Sequence, residues 1–306
     1  MKQVIVTTTI NPPTKAVRLF DALPDWDLVV IGDLKTPKDY HLERGVYMSP
    51  EQQEKYDRTL SDAIGWNCIQ RRNFGLLLAH EMKADLVAVI DDDNIPLDSW
   101  GRDLLVGREA RVNFYQTDAA AFDPVGATNY PHLWHRGFPI QLLRQRDYSR
   151  KEPAIVVADI QADFWNGDPD VDAVCRMEHG PECDFDPACF PMASSKPAPF
   201  NSQNTFLSAK VLRHYFLFPH IGRMDDIWAS YYVQALGFKA VFNQASVYQE
   251  RNVHNLTNDM RQEYLGYEHN LNLLSDLHRD PASIMAYLPG RSAWAFHLYQ
   301  RHFPDA

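Results

Sequence analysis

The chain has 306 residues, of which 45% are apolar, and carries 30 lysines and arginines against 40 aspartates and glutamates. This length is enough for one large domain or two small ones with a buried core, and the apolar content excludes wholesale disorder. The net charge of −10 argues against a general nucleic-acid binder, because such proteins need a basic face to displace counterions.

The sequence also bears on the expected compartment. No run of 18 apolar residues is present, so no transmembrane segment is expected, and the N-terminal residues lack the features of a signal peptide. None of the four cysteines forms a C-x-x-C pair, so neither a disulfide framework nor a zinc knuckle is expected. We therefore expect a cytoplasmic protein.

Strands and helices alternate in the first 95 residues. The predicted elements are a strand at 3–9, a helix at 14–23, a strand at 27–31, an irregular polar stretch at 34–63, a helix at 67–82 and a strand at 86–90. This alternation predicts a parallel α/β sheet, whose ligands bind at the carboxyl ends of the strands. Asn11, Asp33 and residues 91–94 would converge on one crevice there.

The rest of the chain is less regular. Residues 110–220 are rich in proline, aspartate, aromatic residues and short strands, and a helix at 224–237 and a strand at 239–248 follow. We predict an α/β domain over residues 1–257, followed by a helical C-terminal extension over residues 258–306 that packs on it.

The acidic run Asp91-Asp92-Asp93-Asn94 directly follows a buried strand. Three consecutive carboxylates repel one another unless a cation neutralises them, and Mg²⁺ or Mn²⁺ commonly joins one or two carboxylates to substrate phosphates. Asp91 and Asp93 have D-x-D spacing, so an extended segment directs both to the same side. The alternative is an acidic turn in which Asp93 or Asn94 caps a helix.

Two further candidates lie in the same half of the chain. Arg71 and Arg72 are adjacent, so one of them could face a diphosphate or carboxylate, while the alternative is a solvated helix face. Asp33 follows the second strand and suits a ribose hydroxyl or a base N–H, or else forms an Asx turn.

Four further candidates lie later in the chain. Arg136 lies in a Gly/Pro-containing aromatic loop, where a buried guanidinium needs an anion or a carboxylate. The amide and hydroxyl run 201–204 suits polyol recognition or a loop that bonds to itself. Asp225 and Asp226 begin a helix, where carboxylates favour the positive dipole end. His254 follows the last strand as a possible third metal ligand or a structural histidine.

Several common templates are absent: the dinucleotide-binding glycine pattern, the P-loop, the zincin motif and the hydrolase nucleophile elbow. Several segments of the sequence resemble the STELLO-like glycosyltransferases and, more distantly, the reversibly glycosylated polypeptides, which are UDP-arabinopyranose mutases. The matching segments are, in order, TTINPPTKAV, GDLKTP, NCIQRRNFG, DDDN, HRGFP, DPDVDAVCRM, PFNSQNTF and RMDDIWASYYVQALG. They cover about residues 4–255.

The resemblance implies a GT-A-type (Rossmann-like) fold, with a mixed, mainly parallel sheet flanked by helices, that binds a nucleotide sugar through Mn²⁺ or Mg²⁺. The implied metal ligands are Asp93 and Asp91, while His254 is a third candidate only from its position after the last strand. The implied nucleotide-sugar contacts are Thr8, Thr9, Ile10, Asn11, Asp33, Lys35, Arg72, Asn73, Asp91 and Asp92. Asn204, from the amide run, is a further predicted contact with the nucleotide sugar. The implied catalytic residues are Asp226, which we favour as the base or acceptor-binding carboxylate, Asp225 and Arg136.

Three functions follow as hypotheses. The first is metal-dependent transfer of a sugar from a nucleoside-diphosphate sugar, with UDP as the expected nucleotide, to a hydroxyl acceptor in glycan or surface polysaccharide synthesis. The second is a UDP-sugar pyranose/furanose mutase, which needs no acceptor. The third is a non-catalytic protein that binds nucleotide sugars. The DPDVDAV and NSQNTF segments are nearer to STELLO, which favours transfer.

Overall fold

A computed structural model describes residues 1–250 and 255–304, and it contains one mixed sheet of 11 strands. The strands are β1 Gln3–Thr9, β2 Asp27–Gly32, β3 Val46–Met48, β4 Leu86–Ile90, β5 Asn94–Pro96, β6 Glu109–Tyr115, β7 Lys151–Val157, β8 Ile160–Gly167, β9 Met192–Ser194, β10 Asn204–Ser208 and β11 Ala240–Gln249. Their order in the sheet is β3-β2-β1-β4-β10-β8-β11-β9-β6-β7, and β5 pairs with β11.

Helices flank this sheet. They are α1 Lys15–Asp21, α2 Pro50–Tyr56, α3 Arg58–Ile64, α4 Arg72–Glu81, α5 Ala173–His179, α6 Asp225–Ala235, α7 Leu256–Arg279, α8 Ile284–Tyr287 and α9 Gly290–Gln300. The predicted mixed, mainly parallel sheet flanked by helices is confirmed. Parallel pairing joins β3, β2, β1 and β4, whereas β10 runs antiparallel to both of its neighbours.

The first, second and fourth strands follow the apolar runs of the sequence. Residues 86–90 are fully buried, as expected for a central strand covered on both faces. Because β1, β2 and β4 are parallel, their carboxyl ends open on one edge of the sheet. Residues 9–11, 33 and 91–94 all lie at that edge.

The prediction of an irregular stretch at 34–63 was wrong, because this stretch contains β3 and two short helices. Ser49 forms a capping box with Gln52 at the start of α2, and Asp57 caps α3 by accepting from Leu60 N at 2.9 Å. Capping and tertiary packing stabilise such short polar helices. The helix predicted at 67–82 begins as a 3₁₀ turn, Ile69–Arg71, and becomes α-helical at Arg72.

The C-terminal helices pack on the rest of the protein. Helix α7 contacts α5 and α6, and α9 contacts α3. Buried polar groups join α7 to the sheet domain: Asn270 donates to the Gly137 carbonyl at 2.7 Å and accepts from Trp228 at 2.8 Å. In the part of the chain that the structure describes, no helix is both long and apolar enough to cross a bilayer.

Candidate active site at the carboxyl edge of the sheet

A polar cavity of about 520 Å³ opens at this edge of the sheet. Asp91 and Asp93 line it from the end of β4, and Asp225 and Asp226 line it from the start of α6. Arg136 also lines it, from the loop between β6 and β7. The structure therefore brings together the acidic run, the late aspartate pair and the loop arginine, which the sequence separates by as much as 135 residues.

Asp91 is held by a buried arginine of α4. Arg72 is 1% exposed, and its Nη2 lies 2.6 Å from Asp91 Oδ1. Its Nη1 donates to the Ser202 carbonyl at 2.6 Å and to Ser202 Oγ at 3.0 Å. Burial raises the pKa of Asp91, against the attraction of Arg72. Arg72 therefore fixes Asp91 at the cavity instead of lining the cavity itself.

Asp92 points to the first strand. Its Oδ2 accepts from Thr9 Oγ1 and, at 3.2 Å, from Asn11 Nδ2. Thr14 Oγ1, at the start of α1, donates to the Asp92 carbonyl. These contacts join the end of β1 to the acidic run, as the sequence predicts, and leave Asp91 and Asp93 as the members that line the cavity.

All five N–H donors of Arg136 are engaged within the protein. Its Nε and Nη2 donate to the two oxygens of Asp170 at 2.8 and 2.9 Å. Its Nη1 and Nη2 reach the two oxygens of Asp226 at 3.0 and 3.1 Å, and Nη1 also donates to the Arg223 carbonyl. Burial opposes the ionised form of Asp226, but Arg136 outweighs it and holds the pKa of Asp226 below its usual value.

We expect Arg136→Met to destabilise the protein by about 3–5 kcal/mol, because Asp170 and Asp226 would remain buried without a counterion. The free energy of unfolding in urea measures this. Because Arg136 lowers the pKa of both carboxyls, the stabilisation is present above about pH 4 and is lost as the pH falls further.

The exposed Arg58, whose pair with Asp62 is 4.0 Å long, provides the control. Arg58→Met should change the free energy of unfolding by less than about 0.5 kcal/mol. Equal losses in the two variants would contradict a special role for the Arg136 cluster.

The environment of Asp225 differs from that of Asp226. Among the described residues it has no guanidinium partner, and Gln70 Nε2 donates to its Oδ2 at 2.6 Å. Burial, followed by the charge of Asp226, raises the pKa of Asp225 to about 7. A carboxyl that lines a cavity and ionises near neutral pH is suited to proton transfer.

Several predicted residues lie away from the cavity. Asn204 bonds Trp100 Nε1 at 2.9 Å and the Phe164 carbonyl at 3.1 Å. Thr8 donates to the Ile31 carbonyl at 2.9 Å. Ile10 and Lys35 are exposed residues near the end of a strand.

Asp33 has an indirect relation to the cavity. The side chain is buried and accepts from Asn67 N at 2.8 Å and Cys68 N at 3.0 Å. Both of these residues line the cavity. Asp33 thus positions the loop that enters α4, in addition to forming the local turn contact with Leu34 N.

Asn73 is fully buried and bonds both backbone groups of Leu217, each at 2.9 Å. We expect Asn73→Ala to lower the free energy of unfolding by about 2–4 kcal/mol, since it leaves a buried N–H and a buried carbonyl unsatisfied. Thermal or urea unfolding measures the loss. Asn272→Ala, at an exposed position of α7, should change stability by about 0.5 kcal/mol or less. A neutral Asn73→Ala would contradict this structural role.

Other cavity residues were missed by the sequence analysis. Asp168 pairs with Arg176, and Arg223 bonds Glu263 at 2.9 Å. Gln249 was missed as well, and its Oε1 accepts from Gln203 of the predicted run 201–204. The DPDVDAVCRM segment contains Asp168 and Arg176, and its density of charge on a short stretch was the available signal.

The donor set suits a hard divalent cation. Asp91 and Asp93 both present carboxylates to one polar cavity, and Mg²⁺ and Mn²⁺ bind through one or two carboxylates together with substrate phosphates. Among residues 1–250 and 255–304, no group of three or more His, Cys, Asp or Glu side chains is arranged to hold a metal. The third predicted ligand, His254, lies outside the described residues.

Comparison with known proteins supports the resemblance seen in the sequence. The probable glycosyltransferase STELLO2 of Arabidopsis thaliana is 24% identical over 182 residues, which are 56% of this chain and 24% of that protein. STELLO1 of the same plant is 22% identical over 182 residues, with the same coverage. The resemblance to STELLO-like glycosyltransferases is confirmed, and the chain spans about a quarter of the length of these relatives.

No family model matches the chain. Among solved structures, glucosyl-3-phosphoglycerate synthase from Mycobacterium tuberculosis, in complex with Mn²⁺ and uridine-diphosphate-glucose, is similar with a TM-score of 0.45 and 15% sequence identity. The match covers 89% of this chain and 79% of that one.

Proposed function

We propose that this protein is a metal-dependent glycosyltransferase of the GT-A type. It transfers a sugar from a nucleoside-diphosphate sugar, with UDP as the expected nucleotide, to a hydroxyl acceptor. The observation that carries the proposal is that Asp91 and Asp93 line the same cavity as Asp225, a buried carboxyl whose pKa is about 7. The likeness to the STELLO proteins supports the same reaction class.

The donor end of the cavity is formed by Asp91 and Asp93. These two carboxylates would hold Mn²⁺ or Mg²⁺, with Arg72 fixing the orientation of Asp91. When bound, such a cation supplies Lewis-acid stabilisation for the charge that grows on the leaving diphosphate. Thr9 and Asn11, at the end of β1, bond to Asp92 of the acidic run. The nucleotide of the donor would lie beside these contacts.

We assign the acceptor base to Asp225 instead of Asp226. Both oxygens of Asp226 are occupied by Arg136, and Ser202 N donates to Oδ2 at 2.9 Å. Such a carboxylate is a weak base, because these hydrogen bonds stabilise its ionised form. Asp225 has no such ion pair among the described residues, and burial raises its pKa to about 7, so its carboxylate can accept a proton near neutral pH.

Arg136 then acts as a positioning residue. Its guanidinium fixes Asp170 and Asp226, and Asp226 in turn holds the backbone of Ser202 beside Arg72. This chain of contacts runs from the loop before β7 to Asp91. It orients the carboxylates before the substrate arrives, which is how a preorganised site lowers a barrier.

The pH dependence follows from the raised pKa of Asp225. A base must be ionised to accept a proton, so turnover should rise as the pH increases through about 7 and level off above it. Initial rates between pH 5 and 9 measure this, with UDP affinity measured at each pH as the control. A rate that falls as the pH rises through 7, at constant donor affinity, would contradict this assignment.

The first experiment is a screen of nucleotide sugars by thermal shift, with and without Mn²⁺. We expect at least one UDP-sugar to raise the melting temperature only when Mn²⁺ is present, and transfer to follow with an added acceptor. Isomerised UDP-sugar formed without any acceptor would favour the mutase hypothesis. Stabilisation without transfer or hydrolysis over long incubation would favour a binding protein.

A further inference from the structure

The cavity has a second wall that the sequence analysis did not assign. We call it the α5–α7 wall and define it by Asp168, Arg176, Arg223, Gln249 and Gln262, all of which line the cavity. Its members come from the end of β8, from α5, from the turn before α6, from the end of β11 and from α7.

Direct contacts make this wall continuous. Asp168 N donates to the Gln249 carbonyl at 3.1 Å, and the Asp168 side chain pairs with Arg176. On the other side, Gly222 has a φ of +61° and lies against the Gln262 backbone so closely that a Cβ on Gly222 would overlap it. The turn before α6 and helix α7 therefore form one surface.

The wall carries no excess positive charge. Arg176 is matched by Asp168. Arg223 is matched by Glu263 at 2.9 Å and lies 3.9 Å from Asp170. Because each guanidinium already faces a carboxylate, the wall offers no free charge to a phosphate or carboxylate group on a ligand.

What the wall does offer is neutral amide groups, although Gln249 Oε1 already accepts from Gln203. The amides of Gln249 and Gln262 each combine a carbonyl with an NH₂ group, and the Asp168–Arg176 pair places acceptor oxygens beside N–H donors. A sugar hydroxyl donates one hydrogen bond and accepts others. Neighbouring hydroxyls on a saccharide therefore match such a surface without any net charge of their own.

We propose that the α5–α7 wall is the acceptor subsite and that the acceptor is a neutral saccharide. This inference rests on the proposed glycosyl transfer, since it names the second substrate of the same cavity. It also gives α7 a function: the helix contributes Gln262 to the subsite and, through Glu263, holds Arg223 in place.

The test uses the full chain with Mn²⁺ and the UDP-sugar that gives the largest thermal shift. Neutral mono- and oligosaccharides are offered beside the phosphorylated form of each monosaccharide, so that the two members of a pair differ by one phosphate group. We expect product from neutral saccharides at 10-fold or more the rate of their phosphorylated forms. Preferred transfer to the phosphorylated forms, or no transfer to any neutral saccharide by protein that binds UDP, would overturn the inference.

A matched pair of α7 variants locates the subsite. Gln262→Ala should raise the KM for the neutral acceptor about 3- to 10-fold, the loss of a hydrogen bond or two, and leave UDP affinity unchanged by calorimetry. Glu268→Ala, at an exposed position of the same helix, should change neither. An unchanged acceptor KM in Gln262→Ala, or a weakened UDP affinity instead, would contradict the subsite assignment.

These outcomes separate the two proposals. Wild-type protein that takes up neither UDP nor Mn²⁺ would refute the proposed function itself. Wild-type protein that binds both and transfers only to charged acceptors would refute the acceptor assignment alone.

Discussion

Replacing Asp93 by alanine is expected to abolish Mn²⁺-dependent donor turnover while the fold survives. Asp93 and Asp91 are the two members of the acidic run that line the cavity, and Asp91 already shares its Oδ1 with Arg72. Loss of Asp93 would leave the cation with Asp91 alone from this run, and Asp91 Oδ1 is already bonded to Arg72. Release of UDP from the donor, measured with and without Mn²⁺, reports the effect.

The control is Asp98→Ala, an exposed aspartate five residues further along that does not line the cavity. It should keep wild-type turnover and wild-type metal dependence. A urea unfolding curve for each variant shows whether the fold is intact. Folded Asp93→Ala that retains Mn²⁺-dependent turnover would refute the metal assignment.

Asp225→Asn is expected to lower turnover by about 10²- to 10⁴-fold, the usual contribution of a general base. Asparagine keeps the shape and the hydrogen bond to Gln70 but accepts no proton from the acceptor hydroxyl. UDP affinity should stay within about 2-fold of the wild-type value, because the carboxylates Asp91 and Asp93 are unchanged. Initial rates at saturating donor, together with calorimetry of UDP, separate these two quantities.

The chain offers a matched control in Asp163, a second buried carboxyl whose pKa is about 7 because of burial. It is not among the residues that line the cavity, so Asp163→Asn should keep turnover within a few-fold of the wild type. If Asp226→Asn abolished turnover in a folded protein and Asp225→Asn did not, the base would be Asp226, as favoured from the sequence.

Local patterns predicted the framework of the fold well. The apolar runs at 3–9, 27–31 and 86–90 became the parallel strands β1, β2 and β4, because a strand covered on both faces must be apolar throughout. Residues 34–63 were misjudged because two short helices there present mainly polar residues. These helices are stabilised by their caps and their packing, and a hydropathy pattern shows neither of these.

The sequence predicted where the site lies better than it predicted the contacts between its side chains. Strand ends placed Asn11 and the acidic run together, and the contacts of Asp92 with Thr9 and Asn11 agree with this. The sequence alone could not show which of Asp225 and Asp226 pairs with a counterion, because the counterion is Arg136, 90 residues away along the chain. Long-range pairing of this kind leaves no local pattern in one sequence.

The C-terminal extension is the other part that sequence reasoning could not interpret. The sequence predicted that the extension packs on the sheet domain, but nothing in it distinguishes Glu263 and Asn270 from the other polar residues of α7. Both are buried, and they bond Arg223 and the Gly137 carbonyl beside the cavity. A polar residue that braces a site from another element becomes evident only in three dimensions.

Calorimetry of UDP binding to the wild-type chain, with and without millimolar Mn²⁺, tests the central claim most directly. If Asp91 and Asp93 hold a cation that anchors the diphosphate, UDP should bind tightly only when Mn²⁺ is present, and Asp93→Ala should remove that dependence. Well-folded protein that shows no heat of binding for UDP at any Mn²⁺ concentration would contradict the account.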